Sequence, residues 1–230
     1  MKKSNITIIA FGLFLVGGML ALYVSSKYHN FEVDQELTKN KEILLPPFSV
    51  IVAEKGSDLH IEQSDTNKLT IEYFPDKKIP SKLYAVSGDT LHVYTGLRLF
   101  VKCRDLTTVI GKKHKWVGIN DFLTDSLNIR MSGGEMYYNN ERLNEKYYSD
   151  KVDPKLLNIS IVGKDSAQIN FNNLKIGNLS IKSDSSNMNL FCDMKTINAD
   201  LSHQSYLRIF TNYDWIQIKR DQSSSFSTNQ

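Results

Sequence analysis

Residues 157–173 read LNISIVGKDSAQINFNN, and residues 177–193 read GNLSIKSDSSNMNLFCD. Laid over each other they share a plan. Two alternating apolar residues, Ile159 and Ile161 or Leu179 and Ile181, lead into a polar cluster. A second apolar pair follows, Ile169 and Phe171 or Met188 and Leu190. The plan recurs in INADLSHQSYLRIFTN from Ile197, with Ala199 and Leu201 and then Leu207 and Ile209. It recurs again in DWIQIKRDQSSSFSTNQ from Asp214, with Ile216 and Ile218 and then Phe226. Ile161, Ile181, Leu201 and Ile218 follow one another at spacings of 20, 20 and 17 residues. Period-two alternation bounded by Gly, Asp, Asn and Ser is a strand signal. A repeat of about 20 residues with two short strands cannot bury its own apolar face and must stack on its neighbours. The fold expected is all-β: a single-stranded right-handed parallel β-helix, a solenoid of about 20 residues per rung.

The same alternation runs upstream. Val50 and Val52, Leu59 and Ile61, and Leu69, Ile71 and Tyr73 are divided by Gly56-Ser57-Asp58 and Ser64-Asp65-Thr66-Asn67. From Phe48 to the C-terminus this predicts about nine rungs. A β-sandwich is the alternative architecture, with turns every 8–12 residues. It is disfavoured because the chain has no Asn-Gly or Asp-Gly dipeptide, the strongest hairpin signal. GEMYYNNERLNEKYYSDKVDPK, residues 134–155, breaks the spacing and is expected to be an excursion from the coil.

The front of the chain differs. Residues 4–26 carry no charge, and 6–24 are 19 mostly apolar positions behind Lys2 and Lys3. About 20 such residues span a hydrocarbon core, and positive charge stays on the cytoplasmic side. Residues 1–27 are therefore expected to be a retained transmembrane anchor. A cleaved signal segment, with the body exported, is the alternative. Residues 28–47 read as a stalk or cap, and 48–230 as the β-helix domain. The predicted location is the inner membrane, single-pass, with a cytoplasmic N-terminus and an extracytoplasmic (periplasmic) body.

Of the 28 basic residues, Lys2, Lys3 and Lys27 flank the apolar segment. Basic and acidic residues then balance at 25 each from Tyr28 onward. No basic stripe invites nucleic acid. Cys103 and Cys192 stand 89 positions apart and form no metal or redox pair. A disulfide between them requires their Cα atoms within about 7 Å.

No catalytic signature appears. Asp165, Asp184 and Asp221 fall in corresponding turns with Gln204 filling the gap, which suits a corner better than a calcium or carboxylate-pair site. His29, His60, His92, His114 and His203 show no ligand spacing, and His60 and His92 lie on the polar phase of their strands. There is no GxSxG elbow and no phosphate loop. No cofactor and no metal is expected. The candidate ligand-contact surface comprises the basic turn Lys112, Lys113, Lys115 and Trp116 with the tyrosines Tyr137, Tyr138, Tyr147 and Tyr148.

FSVIVAEKGSDLHIEQSDTNKLTIEY, SGDTLHVYT, DSLNIRMSGGEMYY and the terminal repeats resemble the head GIN domain family of adhesin-like β-helix proteins of bacterial envelopes. The likeness spans roughly residues 45–225 and consists of pattern, with VGIN at 117–120 as a minor echo. It implies a β-helix exposed beyond the inner membrane, without catalytic residues. The function expected is a non-enzymatic, membrane-anchored extracytoplasmic module with an adhesion-like or structural binding role. Its partners would be the membrane, through the N-terminal helix, and an envelope protein or polysaccharide. The alternatives are an envelope polysaccharide lyase or hydrolase on the same fold, and an envelope regulatory component.

Overall fold

The computed structural model describes residues 17–19, 38–74, 80, 82–94, 97–140, 157–211 and 213–228. Residues 17–19 are helical, and no described helix is long and apolar enough to cross a membrane. The rest of the expected anchor lies outside the described residues. So does the stalk as far as residue 37.

The unit from Lys39 to Gln230 is all-β. Its 17 described strands form one mixed sheet. The C-terminal part has the simplest plan. Strand β12 (Leu157–Lys164) leads through a corner into the long strand β13 (Gln168–Asp184). A second corner leads into β14 (Asn187–Ser202), a third joins β14 to β15 (Tyr206–Ile209), and a fourth joins β16 (Tyr213–Arg220) to β17 (Ser225–Thr228). Both β13 and β14 bend in the middle, so that each half belongs to a different ladder. One ladder stacks β12, the second half of β13, the second half of β14 and β16. The other stacks the first halves of β13 and β14 with β15 and β17. Every described ladder between Leu157 and Arg220 is parallel.

In register, the alternating residues form continuous apolar columns. Ile161, Ile181, Ala199 and Ile218 make one. Ile169, Met188, Leu207 and Phe226 make a second, and Tyr138, Phe171, Leu190 and Ile209 a third. Most of these side chains are buried. The structure corrects one expected alignment. Ile181 pairs with Ala199, and Leu201 pairs with Ser183. The spacings are therefore 20, 18 and 19 residues. The cause is corner length and a bulge. Three residues, Asp165, Ser166 and Ala167, join β12 to β13, and β13 carries an extra residue between Asn172 and Lys175. Two residues, Ser185 and Ser186, join β13 to β14, and three, His203, Gln204 and Ser205, join β14 to β15.

The corners use left-handed backbone at Lys113, Asp165, Ser166, Ser185, His203 and Gln204, all with φ between 49° and 64°. That region costs least for glycine and for short polar residues whose side chains bond locally. The corner column Ala167, Ser186, Ser205 and Ser224 is buried. Two of its hydroxyls bond locally: Ser205 Oγ accepts from Ser183 Oγ at 3.0 Å and donates to the Ser202 carbonyl at 2.6 Å, and Ser186 Oγ donates to the Asp184 carbonyl at 3.2 Å. Ser224 Oγ is buried without a hydrogen-bond partner among the described residues.

Further upstream, β8 (Thr108–Lys112) and β10 (Ser126–Ser132) continue the first ladder. Strands β9 (Trp116–Asn120) and β11 (Glu135–Asn139) continue the second. Thus 135–139, the start of the expected excursion, belongs to the ladder. Residues 141–156 lie outside the described residues.

The N-terminal end is built differently. Strand β2 (Val50–Ala53) pairs in parallel with β8 on one side and β6 (Thr90–Val93) on the other. Strand β3 (Asp58–Gln63) likewise sits between β9 and β7 (Arg98–Cys103). The β6–β7 pair, later in the chain, is therefore stacked outside the β2–β3 pair. The chain then returns past it to β8. Among the described residues each parallel ladder holds eight strand segments. Beyond β7 come β4 (Lys68–Tyr73) and β1 (Lys39–Leu44), both antiparallel, and β5 (Tyr84–Ser87) closes on β6 as an antiparallel hairpin. The expectation of parallel rungs from Phe48 onward in chain order is corrected accordingly. Lys39–Leu44, expected in the stalk, is strand β1. Antiparallel strands thus form the outer edge at this end of the sheet, with β1 outermost beyond β4 and β5 outermost beyond β6.

Candidate functional site

Two outward surfaces flank the same corner, and both begin with residues whose side chains alternate away from the core. On the second ladder, Phe100, His60, Gly118 and Tyr137 occupy the same register on β7, β3, β9 and β11. Gly118 interrupts the row, and the interruption has a reason. Trp116, two residues earlier, leans its ring across Gly118, and a Cβ there would run into that ring. The result is a continuous aromatic row. Phe100 and His60 stack at 4.7 Å, His60 and Trp116 meet at 4.4 Å with their planes tilted by 47°, and Trp116 and Tyr137 stack at 5.8 Å. All four rings are half-buried. Such offset contacts stabilise by about 0.5–1.5 kcal/mol beyond area burial.

Both signs of charge edge the row, and they pair with each other. Lys115 Nζ lies 3.8 Å from Asp58, Arg98 3.6 Å from Glu72, and Lys102 3.6 Å from Glu62. Burial against its neighbours is the main cause holding the His60 pKa below its ordinary value; the carboxylate of Asp58, 3.7 Å away, opposes it. His60 is therefore a neutral ring near pH 7, continuous in polarity with Phe100 and Trp116. Beyond Tyr137 the row turns polar: Asn189 donates to the side-chain carbonyl of Asn170 at 2.8 Å, one register position further along.

On the first ladder the outward row is Ile110, Arg130, Val162 and Lys182. Two residues nearer the corner stand Lys112, Ser132 and Lys164. Together with Gly111 and Met131 these line an open depression of about 440 Å³.

The structure divides the sequence-predicted contact residues. Lys112, Lys113 and Lys115 are exposed at one corner, and Trp116 and Tyr137 enter the aromatic row. Tyr138 does not belong to a contact surface: it is fully buried, its ring edge-on to Phe171, and its hydroxyl donates to the Phe122 carbonyl at 2.7 Å. Alternation decides this, because Met136 and Tyr138 point inward and Tyr137 outward. Tyr147 and Tyr148 lie outside the described residues. Phe100, His60, Arg130, Lys164 and Lys182 were not among the predicted contacts. Each occupies the outward phase of its strand, but recognising that they align requires the register.

The turn carboxylates serve the corners. Asp221 accepts from the His203 amide at 2.7 Å and from the Ser223 and Ser224 amides at 3.1 and 2.9 Å, and these bonds hold its carboxyl far below the usual range. In the ladder Asp184 pairs with Ser202, not Gln204. No group of three or more potential ligands gathers for a metal among the described residues. Cys103 and Cys192 are free and buried; burial pushes the Cys103 thiol up to about 12 and raises that of Cys192 further. Neither supplies a thiolate at neutral pH. His114 is 3% exposed, with Nε2 3.0 Å from the Glu135 carbonyl oxygen and Nδ1 unpartnered over Gly111. Burial lowers its pKa.

No family model matches the chain, and no curated protein does. Among solved structures, it is similar to a "putative lipid binding protein" from Parabacteroides distasonis, at 13% identity and a TM-score of 0.49, covering 84% of this chain and 97% of that one. It is also similar to a "putative adhesin" from Bacteroides fragilis, at 11% identity and a TM-score of 0.47, again covering 84% and 97%.

Proposed function

We propose that this chain is a non-enzymatic binding module whose two parallel ladders are faces of one right-handed β-helix, held at the inner membrane by residues 1–27 with its body in the periplasm. The role is adhesion-like or structural, and its ligand is a polymer of the bacterial envelope. The aromatic row Phe100–His60–Trp116–Tyr137 carries the reading. Its rings follow one another across four neighbouring strands, about 4.8 Å apart. Half-buried ring surfaces edged by self-paired charges suit the apolar faces of sugar rings in an extended chain, which need contact area and little charge. The rest of the described surface favours binding over catalysis. The thiols are protonated and buried, and the turn carboxylates are committed to backbone amides or to neighbouring side chains.

The test is a glycan array probed with the full-length chain in detergent, alongside Trp116→Ala. A neutral or mixed polysaccharide is expected to bind the parent protein, with at least a tenfold loss in the variant. Retention of affinity by Trp116→Ala would remove the aromatic row from the site. Cleavage of the bound glycan, seen as new reducing ends or unsaturated products, would favour the lyase or hydrolase reading instead.

A further inference from the structure

The depression on the first ladder has a charge pattern that the aromatic face lacks. Lys112 is on β8, Arg130 on β10, Lys164 on β12 and Lys182 on β13. These four strand segments are consecutive neighbours in one parallel ladder. Each therefore contributes one cation. The cations alternate between two positions on the strand, with Arg130 and Lys182 in one row and Lys112 and Lys164 two residues away. The spacing along the stack is one strand, about 4.8 Å. Between the charges lie Ile110 and Val162, with Met131 beneath.

Several carboxylates border this patch, but among the described residues only one of them forms an ion pair with it. Glu54 takes Lys112, at 3.1 Å. Asp165 stands at the corner and accepts from Ser132 Oγ at 2.5 Å. Asp184 is 2.9 Å from His203 Nδ1. Asp200 is level with Lys182 on the next strand but forms no ion pair with it. Among the described residues Arg130, Lys164 and Lys182 have no ion-pair partner. The lining of the depression carries these cations and no carboxylate, and cations without an ion-pair partner over an apolar floor raise the local concentration of an anion.

We propose that this depression binds an acidic polysaccharide, a carboxylate-bearing chain lying along the stack. A sugar unit in an extended chain advances by roughly one strand spacing, so successive carboxylates meet successive cations while the ring faces cover Ile110 and Val162. A repeating polymer fits a repeating ladder. A phosphate monoester would engage only one or two of the cations, and the shallow floor offers no tunnel for an acyl chain. The proposal stands on residues separate from the aromatic row.

The experiment uses the full-length chain in detergent and three probes: a polyuronate, a neutral polysaccharide of similar length, and vesicles containing anionic phospholipid. The variants are Arg130→Glu/Lys164→Glu/Lys182→Glu and a control of equal charge change, Lys39→Glu/Lys41→Glu/Lys102→Glu. Circular dichroism and thermal melting verify that both fold. The polyuronate is expected to bind the parent, weaken steeply with salt, and lose at least tenfold in affinity with the first variant only. Trp116→Ala should leave this binding within twofold, which separates it from the reading above. Equal losses in both triple variants, no binding of polyuronate by the parent, or binding of vesicles without polyuronate would each overturn the proposal.

Discussion

The two ends of the β-sheet unit are built from the same residue types but by different rules. From Leu157 to Thr228 each corner is followed by the next strand of the stack, and chain order equals spatial order. From Lys39 to Cys103 the order is broken. Strands β6 and β7 stack outside β2 and β3, and β1, β4 and β5 run antiparallel. Regular stacking extends a core indefinitely but provides no way to end it. The irregular end stops it: Ile71 and Leu69 pack at 0% exposure in a strand running opposite to its neighbour, and Leu44 in β1 is left 78% exposed at the boundary. The same period-two code serves both, because alternation specifies which side chains are buried and not the direction of the partner strand.

Three measurements would break or sharpen this contrast. The largest effect belongs to the regular stack. Phe171 is fully buried in the column between Tyr138 and Leu190. Phe171→Ala is expected to lower stability by about 3–5 kcal/mol in denaturant unfolding. A loss below about 1 kcal/mol would show that the columns are loosely packed and that the two ends hold the protein together. Next comes Tyr138, in the strand that joins the two regimes. Tyr138→Phe removes the donor to the Phe122 carbonyl and leaves that acceptor unpaired, at a cost of about 1–3 kcal/mol. An unchanged midpoint would mean the carbonyl finds another donor.

The smallest effect is pH-dependent and sits at the corner between β8 and β9. Burial lowers the His114 pKa below its ordinary 6.5. The native state therefore binds fewer protons than the unfolded chain, and stability rises with pH through this window. The contribution is fully present above 6.5 and is lost as pH falls below it. His60 acts in the same direction. Melting temperature measured from pH 7.5 down to 5 should fall, and His114→Gln should make the slope shallower. An unaltered slope would remove His114 from the account.

Much of the fold was legible in the primary structure. Ile159, Ile161, Leu179 and Ile181 announce a strand, a repeat and a buried face, because burial on one side of a pleat forces period two. The corners at Lys164–Ala167 and Ser183–Ser186 were legible for a related reason: left-handed backbone costs less for short polar residues, whose side chains bond locally. Tyr138 was misassigned although its phase placed it inside. It was grouped with Tyr137 by residue type. Corner length and a bulge hid the pairing of Ile181 with Ala199: the corner at residues 185–186 is one residue shorter than that at 165–167, and β13 carries an extra residue between Asn172 and Lys175.

What the chain determined by itself is therefore local: all-β character, the inward phase of each strand, the turn residues and a neutral charge balance after residue 27. These follow from side-chain polarity and backbone preference at single positions. Only the tertiary structure decided which strands are neighbours. Register placed β6 outside β2, brought Phe100, His60, Trp116 and Tyr137 into one row from four separate strands, and set Lys112, Arg130, Lys164 and Lys182 on consecutive strands. The physical reason is that backbone hydrogen bonds pair any strand with any other. The choice of partner rests on how whole columns of side chains pack.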